Sequence, residues 1–314
     1  MKNILIGITS SIASYKIYEL IRFYKKNNYN VKVVLTENAK NFVSPLVLET
    51  LTENKTYCAQ FEPRESVEHI SLVNWADVFV IAPASANTIS KCAQGFADNL
   101  LTSVFCAYLG NKKPILFAPA MNTGMWENPI IQENIEKLKE FGCRILNPES
   151  GFLACKDEGK GRLADVELIF HETLRCLYQN KKNNDKKIIV TLGGTREKID
   201  SVRYITNSSS GKMGTAIADW AYYLGYEVVA ISTIALKRNY KVINVDCADE
   251  MLNNLKLQKF DYLIMAAAVG DFKVLNNSEY KIAKEDIKGD FSLNLTKNPD
   301  IVKENIKKKF QDHK

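Results

Sequence analysis

Hydroxyl and amide side chains follow directly after an apolar stretch of the sequence. Residues 78–82 are all apolar and predict a buried parallel strand, and Pro83 then leads to Ser85, Asn87 and Thr88 before a helical pattern begins. A helix that begins past the carboxyl end of a strand directs its free N–H groups into a crevice, which suits a phosphate ligand. An ordinary strand-to-helix turn capped by Ser or Asn explains the same residues equally well.

A second hydroxyl-rich turn lies near the amino terminus. Gly7 is followed by Thr9, Ser10 and Ser11 rather than by the pattern G-x-G-x-x-G, so the dinucleotide fingerprint is absent. Hydroxyls at the start of a helix still suit a phosphate. Two such turns on adjacent strands predict a mononucleotide site.

Three further residues are candidates for chemistry. His69 precedes an apolar run, Asn122 follows a predicted strand and offers an amide to a carboxylate, and Cys155 lies in a stretch rich in glycine and charge that suggests a mobile flap. Each has a plainer explanation: a hydrogen-bonding structural histidine, a packing turn with Met and Trp, and an inert thiol.

Composition limits the class of protein. The 314 residues are 46% hydrophobic, which is enough for two domains with cores. No apolar run is long enough to cross a bilayer and no signal peptide is evident, so we expect a cytoplasmic protein. The seven cysteines show no paired spacing and predict free thiols.

The net charge of +6 is confined to two segments. Residues 181–187 contribute +3 and residues 303–314 contribute another +3, so the rest of the chain is balanced. The excess therefore belongs to a linker and a terminal helix rather than to a binding face, and we expect no nucleic-acid partner.

Strand and helix patterns alternate along the chain and restart after a polar linker. They predict an α/β protein: a flavodoxin-like or Rossmann-like doubly wound parallel sheet in residues 1–179, a linker at 180–187, and a second Rossmann-like α/β domain at 188–314. Strands are expected at 4–7, 31–35, 78–82, 114–118, 144–146, 187–191, 227–231, 262–266 and, antiparallel, 292–295; helices at 42–51, 100–109, 128–141, 165–179, 216–224, 248–258 and 300–310. Residues 193–214 are expected to form one long polar loop. A Walker loop at 208–212 is excluded, because Met213 stands where Ser or Thr is required and Thr206 where the first glycine should be.

Several motifs together resemble one family. In order and spacing, GITSSIASYK, His69-Ile70, PASANT, PAMNTGMW and LAC…GKGR resemble the flavin-dependent cysteine decarboxylases, and specifically the amino-terminal half of the bifunctional phosphopantothenoylcysteine decarboxylase/phosphopantothenate-cysteine ligases of coenzyme A biosynthesis. After the linker, GGTREKIDSVRYITNSSSGKMG, AAAVGDF, KIAK and LTKNPDIV resemble the ligase half. The resemblance covers nearly the whole chain.

For the first half, the resemblance implies FMN as the cofactor and 4′-phosphopantothenoylcysteine as the substrate. FMN would be held, through its phosphate and ribityl chain, by Thr9, Ser10, Ser11, Ser85, Asn87 and Thr88. The flavin would oxidise the thiol-bearing carbon of the substrate, so that a thioaldehyde accepts the electrons released with CO2. His69 would act as a base, Asn122 would bind the departing carboxylate, and Cys155 would donate the proton that returns with the electrons.

For the second half, the resemblance implies a CTP-dependent ligase that joins 4′-phosphopantothenate to cysteine through an acyl-cytidylate. The phosphates and acyl group would lie near Gly193, Asn207, Ser210, Gly211 and Lys212, and the nucleoside near Ala267 and Asp271. Lys281 would neutralise phosphate charge, although by itself it is one solvated lysine among many. Mg2+ is expected with the triphosphate, without ligands that the sequence identifies.

The sequence departs from the family in three places. Lys156 follows Cys155 where the family usually has glycine, Ser10-Ser11 replaces a more glycine-rich pair, and the ligase half is expected to be short relative to the family. Two alternatives are a flavin prenyltransferase and a non-catalytic FMN-binding regulatory protein. The resemblance also implies a homo-oligomer of flavin-domain trimers, possibly a dodecamer, with His69 and the nucleotide contributed by different copies.

Overall fold

The chain divides into two compact units. The computed structural model describes residues 1–58, 68–152, 158–287 and 289–304. The first unit is Met1–Tyr178 and the second is Gln179–Lys314. Of the predicted site residues, Cys155 lies outside the described residues.

The first unit is built on a six-stranded parallel sheet and a separate two-stranded hairpin. The strands are β1 (Asn3–Ile8), β2 (Asn30–Leu35), β3 (Thr56–Tyr57), β4 (Val78–Ala84), β5 (Ile115–Pro119), β6 (Arg144–Ile145), β7 (Glu149–Phe152) and β8 (Glu158–Arg162). The six parallel strands run in the order β3-β2-β1-β4-β5-β6, which is the Rossmann order. Without the two-residue edge strand β3, the remaining five have the flavodoxin-like order.

Helices cover both faces of this sheet. They are α1 (Ile17–Lys26), α2 (Pro45–Thr52), α3 (Glu68–Trp75), α4 (Ala86–Gln94), α5 (Leu100–Gly110), α6 (Thr123–Trp126), α7 (Pro129–Glu140) and α8 (Val166–Tyr178), with short 3-10 helices at Ile12–Lys16 and Glu37–Asn41. Leu5, Phe79 and Phe117 pack in one cluster with α3, α4, α5 and α7. Ile6 and Val80, the alternate residues of the strands, are buried as well. A parallel strand buried on both faces is continuously apolar, which is why β4 was predictable.

The strand order reverses between β1 and β4, and this reversal positions the site. The chain leaves β1 toward β2 on one side and leaves β4 toward β5 on the other, so the loops after the two strands diverge and open a crevice between them. Ser10 and Ser11 follow β1, and Ser85 follows β4. The two predicted hydroxyl turns therefore lie on adjacent strands.

The second unit has a four-stranded parallel sheet and two small antiparallel pairs. Its strands are β9 (Lys187–Leu192), β10 (Arg196–Lys198), β11 (Tyr204–Thr206), β12 (Glu227–Ser232), β13 (Lys241–Asn244), β14 (Tyr262–Met265), β15 (Phe272–Val274) and β16 (Leu295–Lys297); its helices are α9 (Lys212–Tyr223) and α10 (Ala248–Lys256), with 3-10 helices at Lys181–Asn183 and Lys284–Asp286. The sheet order is β13-β12-β9-β14, while β10 pairs with β11 and β15 with β16. Residues of α10 pack with β9 and β12 in one apolar cluster.

The prediction of an α/β protein, with a doubly wound parallel sheet followed by a second α/β domain, is confirmed, but three local predictions are wrong. The stretch 193–214 is not one loop, because it contains the β10–β11 hairpin and the first turn of α9. The helix expected at 42–51 begins at Pro45, and the antiparallel strand expected at 292–295 lies at Leu295–Lys297. The strands β10, β11 and β16 have three residues each, too few for an alternating pattern to be recognised, and α2 begins at Pro45 because proline is favoured in the first turn of a helix. Of the terminal helix expected at 300–310, residues 301–304 are helical, residue 300 is not, and residues 305–310 lie outside the described residues.

Within the described ranges, no helix combines the length and apolar character that a membrane span requires. The six cysteines that the structure describes form no disulfide.

Candidate functional site

A cavity of about 600 Å³ opens at the reversal point of the first unit. Its walls include four predicted site residues, Ser10, Ser11, Ser85 and Asn122. Cavities of roughly 300–1,000 Å³ are typical of small-molecule and cofactor sites. The structure therefore brings both hydroxyl turns and the Asn122 amide to one cavity.

Thr9 joins the two turns. Its hydroxyl donates a hydrogen bond to the carbonyl of Pro83 at 2.7 Å and accepts one from the backbone N–H of Ser85 at 2.9 Å. Thr9 is only 1% exposed, and it does not line the cavity. Because both hydrogen bonds are internal to the protein, its contribution is to fix the loop after β1 against the loop after β4.

Ser11 and Ser85 each begin a helix. The Ser11 hydroxyl accepts from the N–H of Ala13 at 3.3 Å, and the Ser85 hydroxyl accepts from the N–H of Thr88 at 3.4 Å. Both side chains are half-buried and line the cavity. N-capping leaves lone pairs on both hydroxyls and the proton on Ser11, whereas the Ser85 hydroxyl donates to Thr88 Oγ1 at 3.2 Å. The capping explanation and the ligand explanation are thus compatible, with Ser85 as an acceptor.

Asn122 occupies the turn after β5. Its Oδ1 accepts from the N–H of Gly124 at 2.8 Å and caps α6, which orients the side chain. The β7–β8 hairpin lies against this turn, since the N–H of Met121 donates to the carbonyl of Gly161 at 3.0 Å. A Cβ atom at Gly161 would lie 2.2 Å from the Met121 oxygen, so only glycine permits this approach.

Two cations at the cavity were missed by the sequence reasoning. Lys16 and Arg162 line it, although they are far apart in sequence. Burial lowers the pKa of Lys16, and the nearby Arg162 charge lowers it further. The signal was present, because both residues end motifs quoted for the family resemblance. Two cations beside several hydroxyls form an anion-binding environment.

The other predicted residues of the first unit do not line this cavity. Thr88 is buried against Ser85, and Asn87 is exposed on the first turn of α4. His69 is half-buried in the first turn of α3. Cys155 falls between β7 and β8 in the sequence, outside the described residues.

Three loops of the second unit contact one another at the carboxyl ends of β9 and β14. The N–H of Ala268 donates to the carbonyl of Gly193 at 2.7 Å, and the amide of Asn207 donates to the carbonyl of Val269 at 3.1 Å. A Cβ atom at Gly211 would lie 3.5 Å from the Cα of Gly193. The structure thus brings Gly193, Asn207 and Gly211 together with the segment that carries Ala267.

Glycine is required at both turns of this site. Gly193 has φ +88° and Gly211 has φ +68°, the left-handed region that side chains with a Cβ rarely adopt. Gly211 caps the amino terminus of α9, and Lys212 is the first helical residue. The exposed residues Ser210 and Lys212 therefore flank a helix start whose free N–H groups suit a phosphate.

A second cavity, of about 590 Å³, lies beside these loops. Ala267 and Asp271 line it, together with Lys297, Asn298 and Asp300. The Asn298 amide donates to the carbonyl of Gly270 at 2.8 Å, whereas its buried Oδ1 has no donor among the described residues. A buried acceptor without a partner costs free energy unless a ligand or water satisfies it.

Lys281, the last predicted residue, is exposed in the segment after β15. It does not line the second cavity. Across the described residues, no group of three or more His, Cys, Asp or Glu side chains forms a metal site.

Comparison with known families agrees with the two units. The family model described as Flavoprotein matches residues 1–177, which is more than half of the chain. The model described as DNA/pantothenate metabolism flavoprotein C-terminal domain matches residues 183–313. Fold and site thus define a flavoprotein with a second α/β domain.

Curated relatives specify the family. Coenzyme A biosynthesis bifunctional protein CoaBC of Borreliella burgdorferi is 40% identical over 307 residues, covering 96% of this chain and 78% of the relative. The same-named proteins of Haemophilus influenzae and Bacillus subtilis are 40% and 36% identical, covering 96% and 98% of this chain and 76% and 77% of their own lengths. The chain belongs to this family, so the prediction of a bifunctional enzyme of coenzyme A biosynthesis is confirmed, and neither alternative is favoured.

Similar solved structures include a PPC decarboxylase mutant complexed with pantothenoylaminoethenethiol, at 34% identity and TM-score 0.49, covering 55% of this chain and 95% of that one. The FMN binding protein AtHal3 is 34% identical with TM-score 0.47, covering 55% and 94%.

Proposed function

We propose that the first unit binds FMN at the reversal-point cavity and decarboxylates 4′-phosphopantothenoylcysteine to 4′-phosphopantetheine. The observation that carries the proposal is the single cavity shared by Ser10, Ser11, Ser85 and Asn122. The cavity fits the cofactor: it has the volume of a small-molecule site, hydroxyls from two adjacent strand ends, and the cations Lys16 and Arg162. When bound, FMN would supply the oxidation of the thiol-bearing carbon and the return of its electrons.

Residues of the first unit would bind the cofactor and the substrate carboxylate. Ser10 and Ser11 would donate hydrogen bonds to the phosphate and ribityl oxygens, and Ser85, whose hydroxyl donates to Thr88, would accept one from a ribityl hydroxyl. Thr9 holds the two turns in register. Asn87 and Thr88 would complete this set from the first turn of α4. Asn122 would bind the carboxylate that leaves as CO2, since its side chain is oriented by the α6 cap.

Proton transfers are assigned to His69 and Cys155. His69 would accept a proton beside the flavin, and Cys155 would donate one to the enethiol intermediate as the electrons return to it and the thiol product forms. His69 does not line the cavity of its own chain, which supports a site completed by a second copy. Trimers of the first unit, assembled into a dodecamer, would supply that copy.

We propose that the second unit activates 4′-phosphopantothenate with CTP and joins it to cysteine. Gly193, Asn207, Ser210, Gly211 and Lys212 would hold phosphates at the start of α9, where free N–H groups and the helix dipole favour anions. Ala267 and Asp271 would bind the nucleoside in the second cavity. The unpartnered Asn298 Oδ1 adds an acceptor there that suits the amino group of a cytosine.

Charge neutralisation completes the second site. The carboxylate of 4′-phosphopantothenate attacks the α-phosphate of CTP and pyrophosphate leaves, so negative charge concentrates at the reacting phosphate. Lys281 would offset that charge, and Mg2+ would enter as the complex with the triphosphate. The amine of cysteine then attacks the acyl carbon, and CMP leaves.

One incubation tests both halves. The purified chain with FMN, Mg2+, CTP, 4′-phosphopantothenate and cysteine should release pyrophosphate, CMP and CO2 and form 4′-phosphopantetheine, followed by mass spectrometry. Supplying 4′-phosphopantothenoylcysteine directly should bypass the CTP requirement. Failure to release CO2 from that compound with FMN present would contradict the first assignment, and failure to form CMP would contradict the second.

A further inference from the structure

The turn between β10 and β11 contacts the segment that carries Lys281. Asp200, in that turn, is buried although it bears a charge. Its Oδ1 accepts from the N–H groups of Val202 and Arg203 at 2.8 and 2.7 Å, which fixes the turn. The other carboxylate oxygen contacts the segment 278–282.

Asp200 and Arg203 together bind both backbone groups of one residue. The N–H of Ile282 donates to Oδ2 of Asp200 at 3.2 Å, and the Arg203 guanidinium donates to the carbonyl of Ile282 at 2.6 Å. The same guanidinium contacts Asp200 Oδ2 at 2.8 Å. We call this arrangement the Ile282 clamp.

A third hydrogen bond ties the same segment to the turn. The N–H of Ser278 donates to the carbonyl of Ile199 at 3.0 Å. Lys281 lies between the two attachment points, and its side chain is exposed. Burial opposes ionisation of Asp200, but its backbone donors and Arg203 outweigh that effect and lower the pKa of the carboxyl group. The clamp is therefore charged at neutral pH.

We propose that Asp200 is a positioning residue for Lys281 and acts through the Ile282 clamp. A lysine side chain is long and flexible, so whether its ammonium group reaches the reacting phosphate depends on where the Cα atom of the lysine lies. The clamp fixes that point relative to the loop that carries Asn207. This inference rests on the ligase function proposed above.

A double-mutant cycle tests the coupling. Asp200→Asn keeps the Oδ1 acceptor for the turn but can replace Oδ2 by an amide that cannot accept from Ile282 or Arg203. We expect CTP-dependent pyrophosphate release to lose about tenfold or more in kcat/KM. In a chain that already carries Lys281→Gln, Asp200→Asn should lower kcat/KM by almost nothing further, because both substitutions act through the Lys281 side chain. Losses that multiply in the double variant would overturn the proposal.

A matched control separates positioning from general damage. Asp219 is another buried carboxylate of the second unit, paired with Arg238 at 2.9 Å and remote in sequence from the clamp. Asp219→Asn should lower the melting temperature. Any factor by which it lowers kcat/KM should multiply with the factor caused by Lys281→Gln. If Asp219→Asn and Asp200→Asn behave alike in the cycle, the role of Asp200 is only structural.

Hydrogen exchange gives a readout that needs no turnover. In the Asp200→Asn chain, the Ile282 amide should exchange at least about tenfold faster while the amides of β9 and β12 keep their protection. Should that variant fold poorly, Arg203→Gln removes the other half of the clamp from a more exposed position and should give the same result. Unchanged protection of Ile282 in a folded variant would contradict the clamp.

The hydrogen-exchange and kinetic results also distinguish failure of this inference from failure of the ligase function on which it rests. A wild-type chain that releases no pyrophosphate from CTP would contradict the ligase function, and exchange would still decide whether the clamp holds the segment. A wild-type chain that is active, combined with full activity of Asp200→Asn, would overturn the positioning role alone.

Discussion

At the scale of single residues, Asn122 combines a structural and a proposed chemical role. One end of its side chain caps α6, and the turn that carries it lines the first cavity. Asn122→Asp keeps the capping oxygen but places a negative charge beside the substrate carboxylate. We expect CO2 release from 4′-phosphopantothenoylcysteine to fall by about 100-fold or more. The melting temperature should hardly change.

Asn128 provides the matched control. It caps α7 in the same manner, accepting from the N–H of Ile130 at 2.9 Å, and does not line the cavity. Asn128→Asp should leave CO2 release unaltered. Equal losses in the two variants would assign the effect of Asn122→Asp to capping.

The pair Lys16 and Arg162 allows a prediction about pH. Burial and then the Arg162 charge lower the pKa of Lys16. The unfolded chain therefore binds this proton more tightly, so Lys16 opposes folding below its folded pKa, and the penalty fades as the pH rises from that value to the unfolded pKa. Arg162→Gln should raise the pKa of Lys16.

An NMR titration of the chain labelled with ¹³C-lysine checks this prediction. Arg196→Gln, a change in the second unit where the guanidinium contacts the Tyr204 ring, serves as the control and should leave Lys16 unaffected. A Lys16 titration that is the same with and without Arg162 would show that burial alone causes the shift.

Much of the candidate site was predictable from residue type and position. Ser10, Ser11 and Ser85 follow apolar strands, and the carboxyl ends of adjacent parallel strands must lie at one edge of a sheet. Lys16 and Arg162 were not singled out, because a lysine or arginine in a sequence looks like a solvated charge until the fold brings two together. The Ile282 clamp could not be predicted from the sequence either, since Asp200 and Ile282 come into contact only through tertiary structure.

At the scale of secondary structure, Thr9 links β1 to β4. Thr9→Val preserves the shape of the buried side chain but leaves the Pro83 carbonyl and the Ser85 N–H without their partner. We expect the free energy of unfolding to fall by about 2 kcal/mol, and the affinity for FMN to fall with it.

Denaturant unfolding and flavin fluorescence titration measure the two effects of this change. Thr50→Val removes a hydroxyl that donates to the Leu46 carbonyl on an exposed face of α2, and should alter stability by no more than about 0.5 kcal/mol. If Thr9→Val behaves like Thr50→Val, the link between the two strands is unimportant.

The β7–β8 hairpin depends on close backbone contact. A methyl group at Gly161 would meet the Met121 carbonyl, so Gly161→Ala must move the hairpin or the Asn122 turn. We expect kcat for decarboxylation to fall by about tenfold or more, while FMN binding persists. Gly110→Ala, where an added Cβ meets nothing within 4 Å, should be neutral in the same assay.

The sequence predicted the long elements better than the short ones. Strands buried on both faces are continuous apolar runs, so β1, β4, β9 and β12 were found. The pairs β7–β8 and β10–β11 are short and rich in glycine or charge, and nothing local distinguishes them from loops. Their existence depends on contacts with distant segments.

At the scale of the whole molecule, two units with separate cores predict separable stability. Heating the chain in a calorimeter should give two transitions. FMN should raise the temperature of one transition, and CTP with Mg2+ should raise that of the other. Each ligand, present at 100 times its dissociation constant, should stabilise its unit by about 2.7 kcal/mol. A ligand that shifted both transitions equally would show that the units unfold together.

The β7–β8 hairpin is a two-stranded sheet of its own, bonded to neither edge of the parallel sheet. Its strands reach the turn after β5 through glycine backbone, at Gly159 and Gly161, rather than through a packed core. Strands β7 and β8 therefore form an exchangeable module. Grafting the whole hairpin of a decarboxylase that acts on another cysteine compound, with both glycines retained, should redirect substrate choice without rebuilding the scaffold that carries the cofactor.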